Sequence, residues 1–252
     1  MTQQHCFHFQ YLPIGLRTLY TATLLVLGTG YLFAMIYIFE SHAGRDGKPG
    51  LSVDDLVIAY SGSKSDTRLE SALKGPMKNM LPPDEQHEII AWVRRGASKD
   101  DFDATAGKII AARCETCHGG SNPHIPNLKG FENVSKVAQL DHGMDIFTLV
   151  RVSHIHLFGI TFIFFIVGSI FCHANVKPLW LKCIIILVPF LAILLDIGSW
   201  YLTKLLPGFA WVVMISGVFM GLAFATQWSI SIWQMWFYKM PDELVKNEGV
   251  VS

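Results

Sequence analysis

Residues 157–171 read LFGITFIFFIVGSIF, fifteen consecutive positions without a charged side chain. Extending outward in both directions, no Lys, Arg, Asp or Glu occurs from Val152 to Val176. A helix rises about 1.5 Å per residue, so this stretch is long enough to cross a hydrocarbon core of about 30 Å. A soluble core helix rarely stays apolar for so long, and the stretch is therefore expected to be a membrane span over residues 152–176.

Three further stretches meet the same test. Between Arg17 and Glu40 lies an uncharged run of 22 residues, giving a span over residues 18–39. A cleaved signal peptide is the competing reading, but secretory hydrophobic regions run only about 7–15 residues, which favours an uncleaved anchor. Another span covers residues 181–203 and contains Asp196. The last covers residues 208–238, after the Leu206-Pro207-Gly208 turn. Trp200, Tyr201 and Trp211 gather at one end of this final pair, and Trp228, Trp233, Trp236 and Tyr238 at the other, as interfacial aromatics do.

The composition agrees: 51% hydrophobic residues, 16% charged ones and a mean hydropathy of +0.37. Soluble domains carry about 25% charge. The deficit excludes a disordered chain and a basic nucleic-acid binder, so no nucleic-acid partner is expected. Charge is also unevenly placed. Residues 40–150 hold 13 Lys/Arg and 16 Asp/Glu, which is 29 of the 40 charged side chains in 111 residues.

The fold class expected is therefore all-α: four transmembrane helices with a largely helical polar domain, residues 40–150, inserted between the first and second. Four spans put residues 1–17 and 239–252 on one side. Arg17, Lys177, Lys182, Lys239 and Lys246 share that side, against Lys204 at the opposite turn. The positive-inside tendency makes it cytoplasmic. The polar domain is then external, periplasmic if the membrane is a bacterial inner membrane.

Inside that domain stands Cys114-Glu115-Thr116-Cys117-His118, the C-x-x-C-H pattern of covalent haem attachment. Two thiols at this spacing add to the two vinyl groups of one porphyrin, and the adjacent imidazole meets the iron. A redox C-x-x-C or half of a zinc site are the competitors. Zinc needs a second ligand pair, and the polar domain has no other cysteine; Cys6, Cys172 and Cys183 fall at the cytoplasmic ends. The carboxylates around Asp46 to Asp55 lack EF-hand spacing and read as scaffold, with a capped helix start at Ser52 and another short helix over residues 67–73.

Residues 106–113 form a helical lead-in to the motif, Gly119-Gly120 follows, and Ile125-Pro126-Asn127-Leu128 comes next. This combination resembles the class I cytochrome c family over about residues 73–128. The resemblance implies one covalent haem c held by Cys114 and Cys117, with His118 as proximal iron ligand and Pro126 and Leu128 in the loop beside it.

The chain departs from the family in one respect: only about 30 residues separate His118 from the second span, leaving no room for a distal methionine loop and C-terminal helix. A candidate for both precedes the motif, with Met77 and Met80 before Pro82-Pro83 and then HEIIAWVRRG at residues 87–96. Asp84 is positioned to cap that helix, and Ile89, Ile90, Trp92 and Val93 give it an apolar face. A circularly permuted haem domain is one reading, and an ordinary amphipathic helix the other. The sixth ligand is ordered Met80, Met77, Met144, then histidines, His124 and His142 or His154 among them.

Two ideas concern the membrane part. Haem b would need paired histidines, yet the last two spans contain none, leaving His42 on the outer side and His173 with His5 or His8 on the inner. A quinol site would use Asp196, an intramembrane carboxyl, with His156 or Arg151. His154 and His156 are two residues apart, hence about 200° apart around a helix, so one of them at most faces inward.

The function these readings support best is a membrane-bound c-type cytochrome relaying single electrons at the outer face of a respiratory membrane, as a subunit of a larger electron-transfer complex. Its partners would be other membrane subunits or a soluble cytochrome, docked on the mildly acidic domain, besides lipid. One alternative is a quinol:cytochrome c oxidoreductase with Asp196 and His156 handling protons. A haem-containing assembly or sensor subunit is the third.

Overall fold

A computed structural model describes residues 8–63, 65–123 and 125–239. In chain order the helices are α1 (Ile14–His42), α2 (Val53–Ser61), α3 (Arg68–Lys74), α4 (Pro83–Arg94), α5 (Lys99–Ala104) and α6 (Ala106–Arg113). They continue with α7 (Glu115–His118), α8 (Phe131–Val137), α9 (Ile146–Phe171), α10 (Leu179–Leu205) and α11 (Ala210–Trp236). Among the described residues there is no strand, only an isolated antiparallel bridge between Thr67 and Leu140. The fold is all-α, and α1, α9, α10 and α11 are long and apolar enough to cross a membrane.

The chain divides into two compact units. The first comprises residues 1–35, 150–199 and 212–252. Its core joins Phe164, Val167, Ile170 and Phe171 of α9 to Phe224 and Met235 of α11 and Leu24 of α1. Along α1 the contacts with α11 recur at 17, 21, 24, 28 and 31, alternating steps of four and three that keep one seam in register. Arg17 lies over the Trp236 ring at 4.4 Å, and Trp236 Nε1 donates to Thr21 Oγ1. Trp228 Nε1 donates to the Leu24 carbonyl at 2.8 Å. A Cβ on Gly28 would stand 2.9 Å from that indole nitrogen, so only glycine allows this approach. Tyr31 stacks on Phe224 at 4.4 Å. Leu24 is the one fully buried residue of α1, and the remaining faces point outward.

Two helix ends differ from the charge-free run over residues 152–176. Helix α9 begins at Ile146 because the Asp145 carboxylate accepts from Thr148 N at 2.9 Å and from its hydroxyl at 2.6 Å, capping the first turn. It stops at Phe171, where Lys182 Nζ donates to the carbonyls of Cys172 and Ala174 just past the end. The aromatic belt is also thinner than expected. Trp228 is a packing residue on α1, and Trp200 is buried and stacks on Tyr60 at 5.7 Å.

The second unit comprises residues 36–149 and 200–211. Helix α2 starts with a reciprocal capping box, Asp55 N to Ser52 Oγ at 3.0 Å and Ser52 N to Asp55 Oδ2 at 2.8 Å. The Asp55 carboxylate also accepts from the N–H groups of Gly44 and Asp46. Three backbone N–H groups, those of Gly44, Asp46 and Ser52, thus occupy the carboxylate, which makes it scaffold. Thr67 and Glu70 repeat the capping box on α3. Helix α4 departs from expectation at its start: Pro83 occupies the first helical position, where no N–H is needed, and Asp84 lies in the first turn without capping it.

Helices α3, α4, α5, α6 and α8 enclose one core of Leu69, Leu73, Ile89, Trp92, Val93, Phe102, Ala106, Ile110, Leu128 and Val134. Buried Glu70 pairs with Arg94 at 3.0 Å, tying α3 to α4. Arg113 makes two 2.9 Å bonds to Glu85, tying α6 to α4. Within the same unit, the C-terminal end of α10 is held by backbone. Ser61 Oγ donates to the Thr203 carbonyl at 2.6 Å. Lys204 Nζ reaches the carbonyls of Tyr60, His142 and Met144 at 2.7, 3.1 and 2.8 Å.

Candidate haem-attachment site

Helix α6 buries Ala106 and Ile110 in the core and ends where Cys114 N donates to the Ile110 carbonyl. The Cys114 carbonyl then accepts from both Cys117 N at 3.2 Å and His118 N at 2.8 Å. This winds the motif into the single turn of α7, with the two thiols three residues apart on one face. Cys114 is half-buried and packs on the domain core; Cys117 is exposed. Burial raises the Cys114 thiol above its ordinary value, helped by Cys117, Glu115 and Glu85.

After α7 the chain must reverse. Gly120 does this with φ +91°, and a Cβ there would stand 2.8 Å from Asn127 Nδ2. The returning loop grips His118 twice. Leu128 N donates to the His118 carbonyl at 2.8 Å while the Leu128 side chain is buried. His118 Nδ1 lies 2.8 Å from the Pro126 carbonyl. A carbonyl only accepts, so Nδ1 carries the proton and Nε2 keeps its lone pair. That is the tautomer a metal-binding imidazole needs, with its outer hydrogen bond already in place.

The methionines are sorted by their surroundings. Met77 is half-buried against the same core cluster as Cys114. Met80 follows in a short 3-10 turn and is 68% exposed. Met144 lies outside that cluster, with its N–H on the Ala59 carbonyl and its own carbonyl on Lys204. His124 falls outside the described residues, as do His5, Cys6 and Lys246. Among the described residues no group of three or more His, Cys, Asp or Glu is placed to hold a metal ion.

The membrane candidates occupy different settings. Asp196 is buried on α10, whereas His156 is exposed, its Nδ1 2.9 Å from the Val152 carbonyl of its own helix. His154 is exposed as well. At the other end of the bundle, His8 Nε2 meets Gln234 Oε1 at 3.2 Å and His173 Nε2 meets Tyr20 OH at 3.5 Å. Both imidazoles engage protein side chains through the nitrogen a haem b would require.

Sequence reading missed Gln234 and Tyr20 here, because neither residue type signals a partner by spacing.

Residues 135–242 match a family described as a transmembrane helical domain. The match covers α9, α10 and α11 and stops short of the cysteine motif. No curated protein and no solved structure matches the chain. Together with the four apolar helices, the match makes the chain a membrane protein.

Proposed function

We propose that the protein is a membrane-bound c-type cytochrome relaying single electrons at the outer face of a respiratory membrane, bacterial and inner, with the haem domain periplasmic and the chain a subunit of a larger electron-transfer complex. The observation that carries this reading is the 2.8 Å contact of His118 Nδ1 with the Pro126 carbonyl, directly beside Cys114 and Cys117. It leaves an oriented Nε2 lone pair next to two free thiols, a donor set that fits haem c and is more than a redox dithiol requires.

Haem c would supply a one-electron couple at its iron. The chain would do the rest. Cys114 and Cys117 would form the thioethers, His118 would hold the proximal position, and buried Leu128 would stop the loop from swinging away. Met80 or Met77 would take the sixth position. The experiment is a pyridine haemochrome spectrum of the purified protein together with haem staining on a denaturing gel. Covalent haem c, lost in the Cys114→Ala/Cys117→Ala double variant, is the expected result; a protein purified from a haem-competent host without covalent haem overturns the reading.

The buried carboxyl of Asp196 favours a second reading, a quinol-oxidising enzyme that passes electrons to its haem. An intramembrane carboxylate is costly and commonly serves a proton or substrate. Exposed His156 gives this reading less support than Asp196 does. Quinol-dependent haem reduction that is lost in Asp196→Asn supports it, and an unchanged rate sinks it.

A further inference from the structure

Pro189 stands inside α10 and has no N–H, so the carbonyl four residues earlier, that of Ile185, lacks its helical donor. Gln227 of α11 supplies one: its Nε2 donates to Ile185 O at 2.8 Å. Because that carbonyl only accepts, the amide's orientation is fixed. Its Oε1 is turned toward α9, where a Cβ on Gly168 would stand 3.7 Å away. Gln227 is 0% exposed and this Oε1 has no hydrogen-bond partner among the described residues.

One turn further along α11, on the same face, Ser231 is also 0% exposed and its Oγ has no partner among the described residues. A helical serine ordinarily returns its hydroxyl to the carbonyl four residues back, and Ser231 does not. Two unpartnered polar atoms are thus sealed inside an apolar bundle, where each costs free energy. Opposite Gln227 Oε1 stands Gly168, with no side chain of its own.

We propose that Gly168, Gln227 and Ser231 form a binding site for one internal water molecule. The water donates to Gln227 Oε1 and shares a hydrogen bond with Ser231 Oγ, completing the repair of the proline gap by holding the amide on Ile185. An amide oxygen and a hydroxyl offer dipoles and no charge, so the site suits a neutral donor over an ion. Complete burial of both atoms excludes a ring-sized ligand.

The test uses the full chain in lipid nanodiscs and the thermal midpoints of Gly168→Ala, Ser231→Ala and the double variant. Gly217→Ala serves as the helical control, since a Cβ there meets nothing within 4 Å. If Gly168 faces an empty void, the added methyl makes ordinary contacts and the midpoint stays at or above that of the control. With a water bound, each single variant displaces or unties it and the midpoint falls by about 2–4 °C, Gly168→Ala against Gly217→Ala and Ser231→Ala against wild type. Both variants then act on the same water, so the double variant falls no further than the lower single one. Additive losses, or either single variant at or above its reference, overturn the proposal.

Discussion

The Lys204 ammonium donates to the Met144 carbonyl at 2.8 Å, and its other protons go to the carbonyls of Tyr60 and His142. Three backbone segments converge on one cation at the end of α10. Arginine's planar fork cannot reproduce this three-way geometry, and glutamine offers too few donors. Lys204→Gln is expected to destabilise the protein by about 1–3 kcal/mol, with faster proteolytic cleavage around residues 140–146. A midpoint and cleavage rate equal to wild type would show that the three bonds contribute nothing.

Two glycines mark where backbones cross. Gly62 has φ +82° and a Cβ there would stand 1.9 Å from the Asp141 carbonyl oxygen; Gly143 has φ +69° and its Cβ would stand 2.3 Å from that of Tyr60. Neither neighbour can move without breaking the crossing. Gly62→Ala and Gly143→Ala are each expected to cost more than about 4 kcal/mol or to prevent folding. Gly47, at φ +82° with open space around it, isolates the conformational part, and Gly47→Ala should cost only about 1 kcal/mol. Circular dichroism melts of the three variants check the order.

Acid sensitivity should trace in part to α4 and α6. The Arg113 hydrogen bonds hold the Glu85 carboxyl below its ordinary value of 4.5. A folded-state pKa below the unfolded one adds stability that is complete above the unfolded value and lost as pH falls through the folded value. Melting midpoints of wild type and Glu85→Gln should therefore differ at pH 7 and converge as the pH drops below about 4. A constant difference across that range would refute the assignment.

The attachment chemistry separates into independent parts. Under the proposed reading, His118→Ala keeps haem on a denaturing gel through the two thioethers while its absorption spectrum changes with the lost ligand. Pro126→Ala keeps the backbone carbonyl that His118 uses, so its spectrum should match wild type. Loss of gel-stained haem in His118→Ala would tie covalent attachment to the imidazole itself.

The sixth position can be read from the potential. A methionine ligand raises the reduction potential relative to histidine or water. Whichever of Met77→Ala and Met80→Ala removes the ligand should show the lower midpoint potential, by redox titration. Equal potentials in wild type and both variants exclude the pair.

Spans were legible wherever charge was missing, because hydrocarbon forbids charge over a fixed length. The cap at Ser52 was legible because a capping box is local, whereas at residues 67–73 the helix was read without its Thr67 cap. The His118 to Pro126 contact was half legible: spacing announced the residues, but the glycine reversal that joins them appears only in three dimensions. Asp145 moved the start of α9 because one carboxylate outweighs the end of an apolar run. Gln227 was invisible, since nothing in its neighbourhood points to a proline 38 positions earlier on another helix. Trp200 and Trp228 misled because tryptophan's amphipathic ring serves an interface and an interior equally well.

Eight of the ten core residues of the polar domain, Leu69 through Ile110, precede Cys114 in the chain. During synthesis the chain emerges N-terminus first, so the residues of α3, α4, α5 and α6 have all been made before the thiols appear. Cys114 and Cys117 therefore arrive at a core whose larger part is already complete, and the domain has most of its packing partners before it has its two thiols.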